Sequence, residues 1–334
     1  MRLLVVTQVV DIRDPILGFF HYWLGEFSKH FDKITVICLK KGECSLPSNV
    51  NIVSLGKEDK QSRFQYILRF YKYIFHYRKE YDSVFVHMNQ EYILLGGLLW
   101  ALLGKPAFLW RNHSKGFWIT KLAGKLSKKV FYTSPQSFTA PFKNSIQMPV
   151  GVDTDFFKPS GVNREGVLIM GRISPVKKVS EMIAVASEVA NKIPFTLKVI
   201  GGLDSRFLDY YEEVKRGLEK FPGKVVQGDG VPLDKVRDLF CSTDIFMNFT
   251  PEGSYDKMIF EAAACGTLVL STNSGLAGQI PNECISTSKN ETSTLENLLK
   301  LPLDIKSDLR NSLREQIVRH HGLTHLAVRL TEEL

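Results

Sequence analysis

The sequence predicts an α/β protein: two doubly wound domains, each a parallel sheet between layers of helix, facing each other across a cleft. Three observations carry that prediction. The chain has 334 residues, enough for two domains of ordinary size. Short apolar, β-branched runs alternate with longer amphipathic segments, the pattern of right-handed strand–helix–strand crossovers. The alternation breaks once, at the turn-rich string MPVGVDTDFFKPSG, and then restarts.

Each element follows in order. The opening MRLLVVTQVVD has one Arg, an apolar run and no small-residue cleavage pattern, so it reads as a strand over 3–6 and not as a leader. Further strands of the first half fall at 34–38, 84–86, 107–110 and 130–132, with helices over 19–29 and 64–79. The longest apolar run, ILLGGLLWALL at 93–103, is too short for a membrane span of about 20 residues. After the break come strand 166–170, helix 180–190, strand 196–200, helix 205–220 and strand 225–227. Helix 234–241, strand 245–248, helix 257–265 and strand 268–271 complete the series. The expected domains are 1–155 and 156–315, with a closing helix over 316–334 packing back toward the first.

Composition narrows the class. With 44% hydrophobic and 23% charged residues, the chain is neither fibrous nor low in complexity. Cys38, Cys44, Cys241, Cys265 and Cys284 make an odd set without C-x-x-C or zinc-like spacing, which points to free thiols in a cytoplasmic setting. The net charge of +8 is unevenly spread: residues 1–150 hold 21 Lys and Arg against 10 Asp and Glu, while residues 151–334 hold 22 against 25. The first half therefore expects an anionic partner.

Two strings carry chemistry. GRISPVKK follows the first strand of the second half: Gly171 permits close backbone approach, while Arg172 and Lys177 bring two cations to the strand's end, which suits a diphosphate. A solvated pair of basic residues on an ordinary loop explains the same string equally well. TPEGSYDKMIFEAAACGTLVLSTNSG spans a strand end, a polar loop and a helix start. Free N–H groups at that start can bind phosphate oxygens, and Glu261 can reach a ribose diol. The plainer alternative is a helix capped by Ser254 or Asp256.

These strings resemble the retaining glycosyltransferases of the GT-B fold, the family 4 or glycosyl transferases group 1 type. EAAACGTLV at 261–269 is similar to the second half of the family's donor signature. Gly171, Arg172 and Lys177 match its G-R-L-x-x-x-K motif, and PVGVDTDFF at 149–157 its linker. QGDGVPLD at 227–234, with Gly228 and Val231, resembles the turn that holds the nucleotide base. The resemblance covers nearly the whole second half. It implies two Rossmann-like domains, a nucleotide-sugar donor (UDP- or GDP-linked), metal-independent transfer with retention, no cofactor, and domain closure. It also implies donor contacts from Glu252, Ser254, Tyr255, Asp256, Lys257, Met258 and Glu261. One departure stands out: the family's first Glu position is Gly253 here, with Glu252 one place upstream, so Glu252 or Asp256 takes that role.

In the first half the resemblance carries a role beside the reacting sugar to His113, after strand 107–110. Gly18, His87 and Asn89 are assigned to the acceptor side. The acceptor is expected to be lipid-linked or a glycan. Lys121, Lys125, Lys128 and Lys129 share one face of a helical pattern beside Ile119, Leu122, Leu126 and Val130, which suits an anionic membrane surface and a peripheral location. An aromatic stripe, Tyr66, Phe70, Tyr73 and Tyr77, offers a second such face. Nothing resembles a nucleic-acid motif. Two other readings stand beside transfer: a degenerate protein that only holds nucleotide, and a sugar-nucleotide 2-epimerase. A dehydrogenase is disfavoured because no G-x-G-x-x-G opens the first unit.

Overall fold

The β-branched runs become two all-parallel sheets in the computed structural model, which describes every residue except Pro15, Ser254, Thr287 and Ser288. The chain divides into two units, residues 1–151 with 323–334, and residues 152–322. The first sheet contains β1 (Arg2–Val10), β2 (Lys33–Lys41), β3 (Val50–Ser54), β4 (Ser83–His87), β5 (Ala107–Trp110), β6 (Lys129–Tyr132) and β7 (Ser145–Gln147). Their spatial order is β3-β2-β1-β4-β5-β6-β7. Leu3 lies opposite Ile34 on one side and Ser83 on the other.

Alternation along β1 divides the core of this unit. Leu3 and Val5 pack on one face with Phe20, Trp23, Leu24 and Phe27 of α1 (Gly18–Phe27). Leu4 and Val6 pack on the other with Phe70 and Ile74 of α2 (Arg63–Tyr77), Trp100 of α3 (Gln90–Leu102) and Ala123 of α4 (Trp118–Leu126). A capping box fixes the start of α2: Ser62 Oγ accepts from Gln65 N at 3.3 Å, and Gln65 Oε1 accepts from Ser62 N at 2.7 Å.

The second sheet contains β8 (Val167–Met170), β9 (Leu197–Ile200), β10 (Val225–Gly228), β11 (Ile245–Asn248) and β12 (Leu268–Ser271), in the order β10-β9-β8-β11-β12. Its helices are α5 (Val179–Ala190), α6 (Leu208–Glu219), α7 (Leu233–Cys241), α8 (Lys257–Ala264), α9 (Glu291–Lys300) and α10 (Leu303–His321). The chain runs outward from β8 to β10, then returns to the other side of β8 as β11. The switch point of the sheet therefore lies between β8 and β11, where the crossovers leave a crevice at the carboxyl ends.

Several expectations change. The tail 316–334 is not one helix: α10 ends in the second unit, and α11 (Leu323–Glu333) belongs to the first, its Leu326 and Leu330 in the core against α1. The helix expected over 205–220 starts as a 3-10 turn, Ser205–Phe207, because Asp204 accepts from Arg206 N at 3.2 Å. The four-lysine helical face does not form. Helix α4 ends at Leu126, so Lys128 follows the helix, and Lys129 sits in β6 paired with Glu333 at 2.6 Å. Strand pairing outweighs helical periodicity there, since Val130 and Phe131 are buried in the sheet. Nor does the aromatic stripe of α2 stay whole: Phe70 is buried with Ile74 from the other stripe, while Tyr71 donates to Leu95 O.

Candidate active site

The loops after β8 and β11 flank the switch point of the second sheet. Gly171 directly follows β8, its N–H donating to Ile200 O at 3.0 Å with φ of +138°. The β9 loop comes so close that a Cβ on Gly201 would lie 1.8 Å from Gly171 O, so only glycine fits there. Arg172 is exposed. Asp204, in the neighbouring loop, is held down to about 2 by its bond to Arg206, with a smaller pull from Arg172. The turn Pro175–Lys177 then brings Lys177 back over the crevice.

Lys177 Nζ forms an ion pair with Asp256 Oδ2, and Thr250 Oγ1 lies 3.5 Å away. The same oxygen of Asp256 accepts from Asn248 Nδ2 at 2.7 Å and from Thr250 Oγ1 at 3.2 Å. Asp256 Oδ1 accepts from Met258 N at 3.3 Å and so caps α8. Burial works against the Asp256 carboxylate, but the Lys177 charge and these donors outweigh it and hold its pKa below the usual carboxylate value. A Cβ on Gly171 would be 3.8 Å from Lys177 Cε and 4.0 Å from Met258 Sδ, so Gly171, Lys177, Asp256 and Met258 form one cluster. Asp256, with four protein donors, is committed to holding this cluster. Of the two residues expected in the missing Glu's place, Asp256 is thus the one already engaged by Lys177, Asn248, Thr250 and Met258 N.

The next turn of α8 holds a second charged pair. Glu261 is buried four residues after Lys257. Burial pushes the Glu261 carboxyl up and the Lys257 ammonium down; each partner draws the other back, and Asp153 adds to the pull on Lys257. Tyr255 OH donates to Gly275 O at 2.9 Å, and burial raises this phenol to about 12. Glu252 is exposed and accepts from Ser274 Oγ. Gly228 ends β10, its carbonyl accepting from Gly201 N at 2.9 Å, and Val231 follows half-buried before α7. Ser254 lies outside the described residues.

In the first unit, His113 is exposed in the loop after β5. Its Nδ1 accepts from Lys115 N at 2.9 Å, and Arg111 in the same loop donates to Lys115 O at 3.0 Å. Asn89 Oδ1 accepts from Gln8 Nε2 at 2.7 Å. Gly18 is buried as the first residue of α1. His87 does not line an open surface. It is 1% exposed, stacked on Phe20 at 4.1 Å, with Nδ1 3.2 Å from Thr7 Oγ1. A histidine that ends a fully buried strand joins the core when an aromatic ring can stack on it. Asn248, Thr250 and Gly201 escaped the sequence reading. The available signals were a polar residue closing an apolar strand, and a Gly-Gly pair directly after β9.

The family comparison falls on the second unit. Residues 164–301 match the family model described as glycosyl transferases group 1. The matched segment contains the whole Lys177–Asp256 cluster. The phosphatidylinositol N-acetylglucosaminyltransferase GPI3 subunit of Saccharomyces cerevisiae is 24% identical over 147 residues, 41% of this chain and 32% of that protein. A phosphatidylinositol N-acetylglucosaminyltransferase chain of Arabidopsis thaliana is 28% identical over 132 residues, 38% of this chain and 29% of that protein. This chain thus spans about a third of the length of these curated relatives.

Among solved structures, Anabaena Alr3699/HepE in complex with UDP aligns with a TM-score of 0.76 at 16% identity, covering 99% of both chains. A glycosyltransferase from Rickettsia africae aligns with 0.76 at 14% identity, covering 98% of this chain and 97% of that one. These likenesses show the GT-B glycosyltransferase fold.

Proposed function

We propose that the protein transfers a sugar from a nucleoside-diphosphate donor, UDP- or GDP-linked, to a lipid-linked or glycan acceptor, with retention at the anomeric carbon. The observation that carries this reading is the Lys177–Asp256 cluster at the switch point, within the segment that matches the family. An ammonium held in fixed geometry beside a glycine offers charge and close backbone approach together. A diphosphate leaving group needs both. Of the three ammonium protons of Lys177, Asp256 takes one and Thr250 lies near another, which leaves one for a phosphate oxygen. The UDP bound to Alr3699/HepE, and the sugar transfer named for the curated relatives, support the same reading.

In the proposed reaction the acceptor hydroxyl attacks the anomeric carbon from the face that the diphosphate leaves. The bond from that carbon to the phosphate oxygen breaks, and the departing phosphate takes the hydroxyl proton. Arg172 and Lys177 stabilise the charge that gathers on the diphosphate; Glu261 holds the ribose; His113 contributes beside the sugar. No divalent ion is required in this scheme.

Calorimetric titration with UDP and GDP, in the presence of a chelator, tests the donor site. Binding is expected without metal and is expected to weaken in Arg172→Ala and Lys177→Ala. Unchanged affinity in both variants sinks the assignment. A second reading, nucleotide holding without transfer, draws on the partners already taken by Lys177 and Glu252. It expects nucleotide binding with no sugar released or transferred across a panel of nucleotide sugars.

A further inference from the structure

Helix α4 and the loop before it expose a mixed apolar and basic face. Phe117 and Trp118 are 73% and 71% exposed, and Leu122 is 42% exposed. Trp118, Lys121, Leu122 and Lys125 follow at three- and four-residue spacing, so they share one side of the helix, while Thr120, Ala123 and Gly124 are buried on the other. Lys115 is exposed just upstream and Lys128 just downstream.

The surrounding sequence has one sign of charge. Between Glu91 and Asp153 there is no acidic residue and there are eight Lys or Arg. Helix α2 also exposes apolar side chains, Phe64, Ile67, Leu68 and Phe75, but Glu58, Asp59 and Glu80 flank it in sequence. Exposed apolar side chains without acidic neighbours distinguish α4 from α2.

We propose that this face docks on an anionic lipid bilayer, with Phe117, Trp118 and Leu122 entering the headgroup boundary and Lys115, Lys121 and Lys125 meeting lipid phosphates. Charge complementarity selects this occupant. Aromatic and leucine side chains favour the interfacial layer, and lysines beside them gain from a negative surface potential. The site lies wholly in the first unit and goes beyond the donor reading, since it holds whichever nucleotide the second unit binds.

Tryptophan emission supplies a direct test on the full chain. Trp23, Trp100 and Trp110 are 2%, 0% and 4% exposed, so a change on adding vesicles reports Trp118. Vesicles of phosphatidylcholine mixed with phosphatidylglycerol are expected to shift emission to the blue, and brominated lipid to quench it. Pure phosphatidylcholine should do neither at the same lipid concentration. The double variant Lys121→Glu with Lys125→Glu should lose at least about tenfold in vesicle affinity by co-sedimentation, with UDP affinity unchanged. That last readout separates loss of docking from loss of fold or of the donor site. Equal binding to both vesicle types, no binding to either, or an unaffected double variant overturns the proposal. So does a blue shift that grows with protein concentration without lipid and accompanies a dimer in sedimentation, since the occupant is then a second copy.

Discussion

At the carboxyl edge of the second sheet, charged side chains stand close to one another: Lys177 is paired with Asp256 across two loops, and the charges of Lys257 and Glu261 draw on each other along α8. Near the corresponding edge of the first sheet, His113 stands exposed, and the α4 face that follows it in sequence is open. Both sheets are parallel and both reverse direction beside their first strand. The contrast therefore comes from the loops and not from the topology. A polar group fixed by several partners is preorganised for a small anion and has no need to reorder when one binds. An exposed face of aromatic and basic side chains suits a broad, soft surface.

The largest expected effect tests how closely packed the second edge is. Gly201→Ala would put a Cβ against Gly171 O and should lower stability by about 3 kcal/mol in urea unfolding. Gly202→Ala, with nothing within 4 Å of its Cβ, should change stability by less than about 1 kcal/mol. If both variants behave alike, the loops do not approach as described.

Lys177→Ala comes next. It should weaken UDP binding about a hundredfold, the size expected for a charge-assisted bond in a partly buried site, as read by calorimetry. Asp256→Asn keeps the helix cap but loses the ion pair, and should cost about 2 kcal/mol at neutral pH. The folded-state pKa of Asp256 is depressed, so its contribution to stability is present above the ordinary carboxylate value and is lost as pH falls toward the folded value. The wild type should therefore lose stability on acidification below that ordinary value more steeply than Asp256→Asn. Parallel curves would remove the ion pair from the account.

The smallest structural effect is expected in the first unit. His113→Ala removes an exposed side chain and should shift stability by less than about 0.5 kcal/mol. Under the proposed function, sugar transfer falls nonetheless while UDP affinity stays the same. A large loss of stability would make His113 a structural residue and would blunt the contrast between the two edges.

Much of this was legible in the sequence. The strand at 107–110 and the helix starting at Lys257 lie where the local pattern puts them, because a short apolar, aromatic run and an Asp cap are local signals. That Gly171 and Lys177 follow one strand was readable, because the string GRISPVKK is local; whether its cations serve a ligand or a solvated loop was not. Two expectations failed for one reason. His87 and Lys129 were assigned to surfaces from their neighbours in sequence, yet each was captured by a partner far along the chain: Phe20 stacks on His87, and Glu333 pairs with Lys129.

The sequence by itself determined the alternation of elements, the break before the second series of strands, and the concentration of basic residues in the first half, since each is a property of near neighbours or of composition. Only the tertiary structure decided that Lys177 meets Asp256, 79 positions away, that Asn248 and Thr250 hold the same carboxylate, and that α4 stops before Lys128. Such partners are chosen by which loops the sheet order brings to one crevice, and that order follows from packing the whole core rather than from any local run of residues.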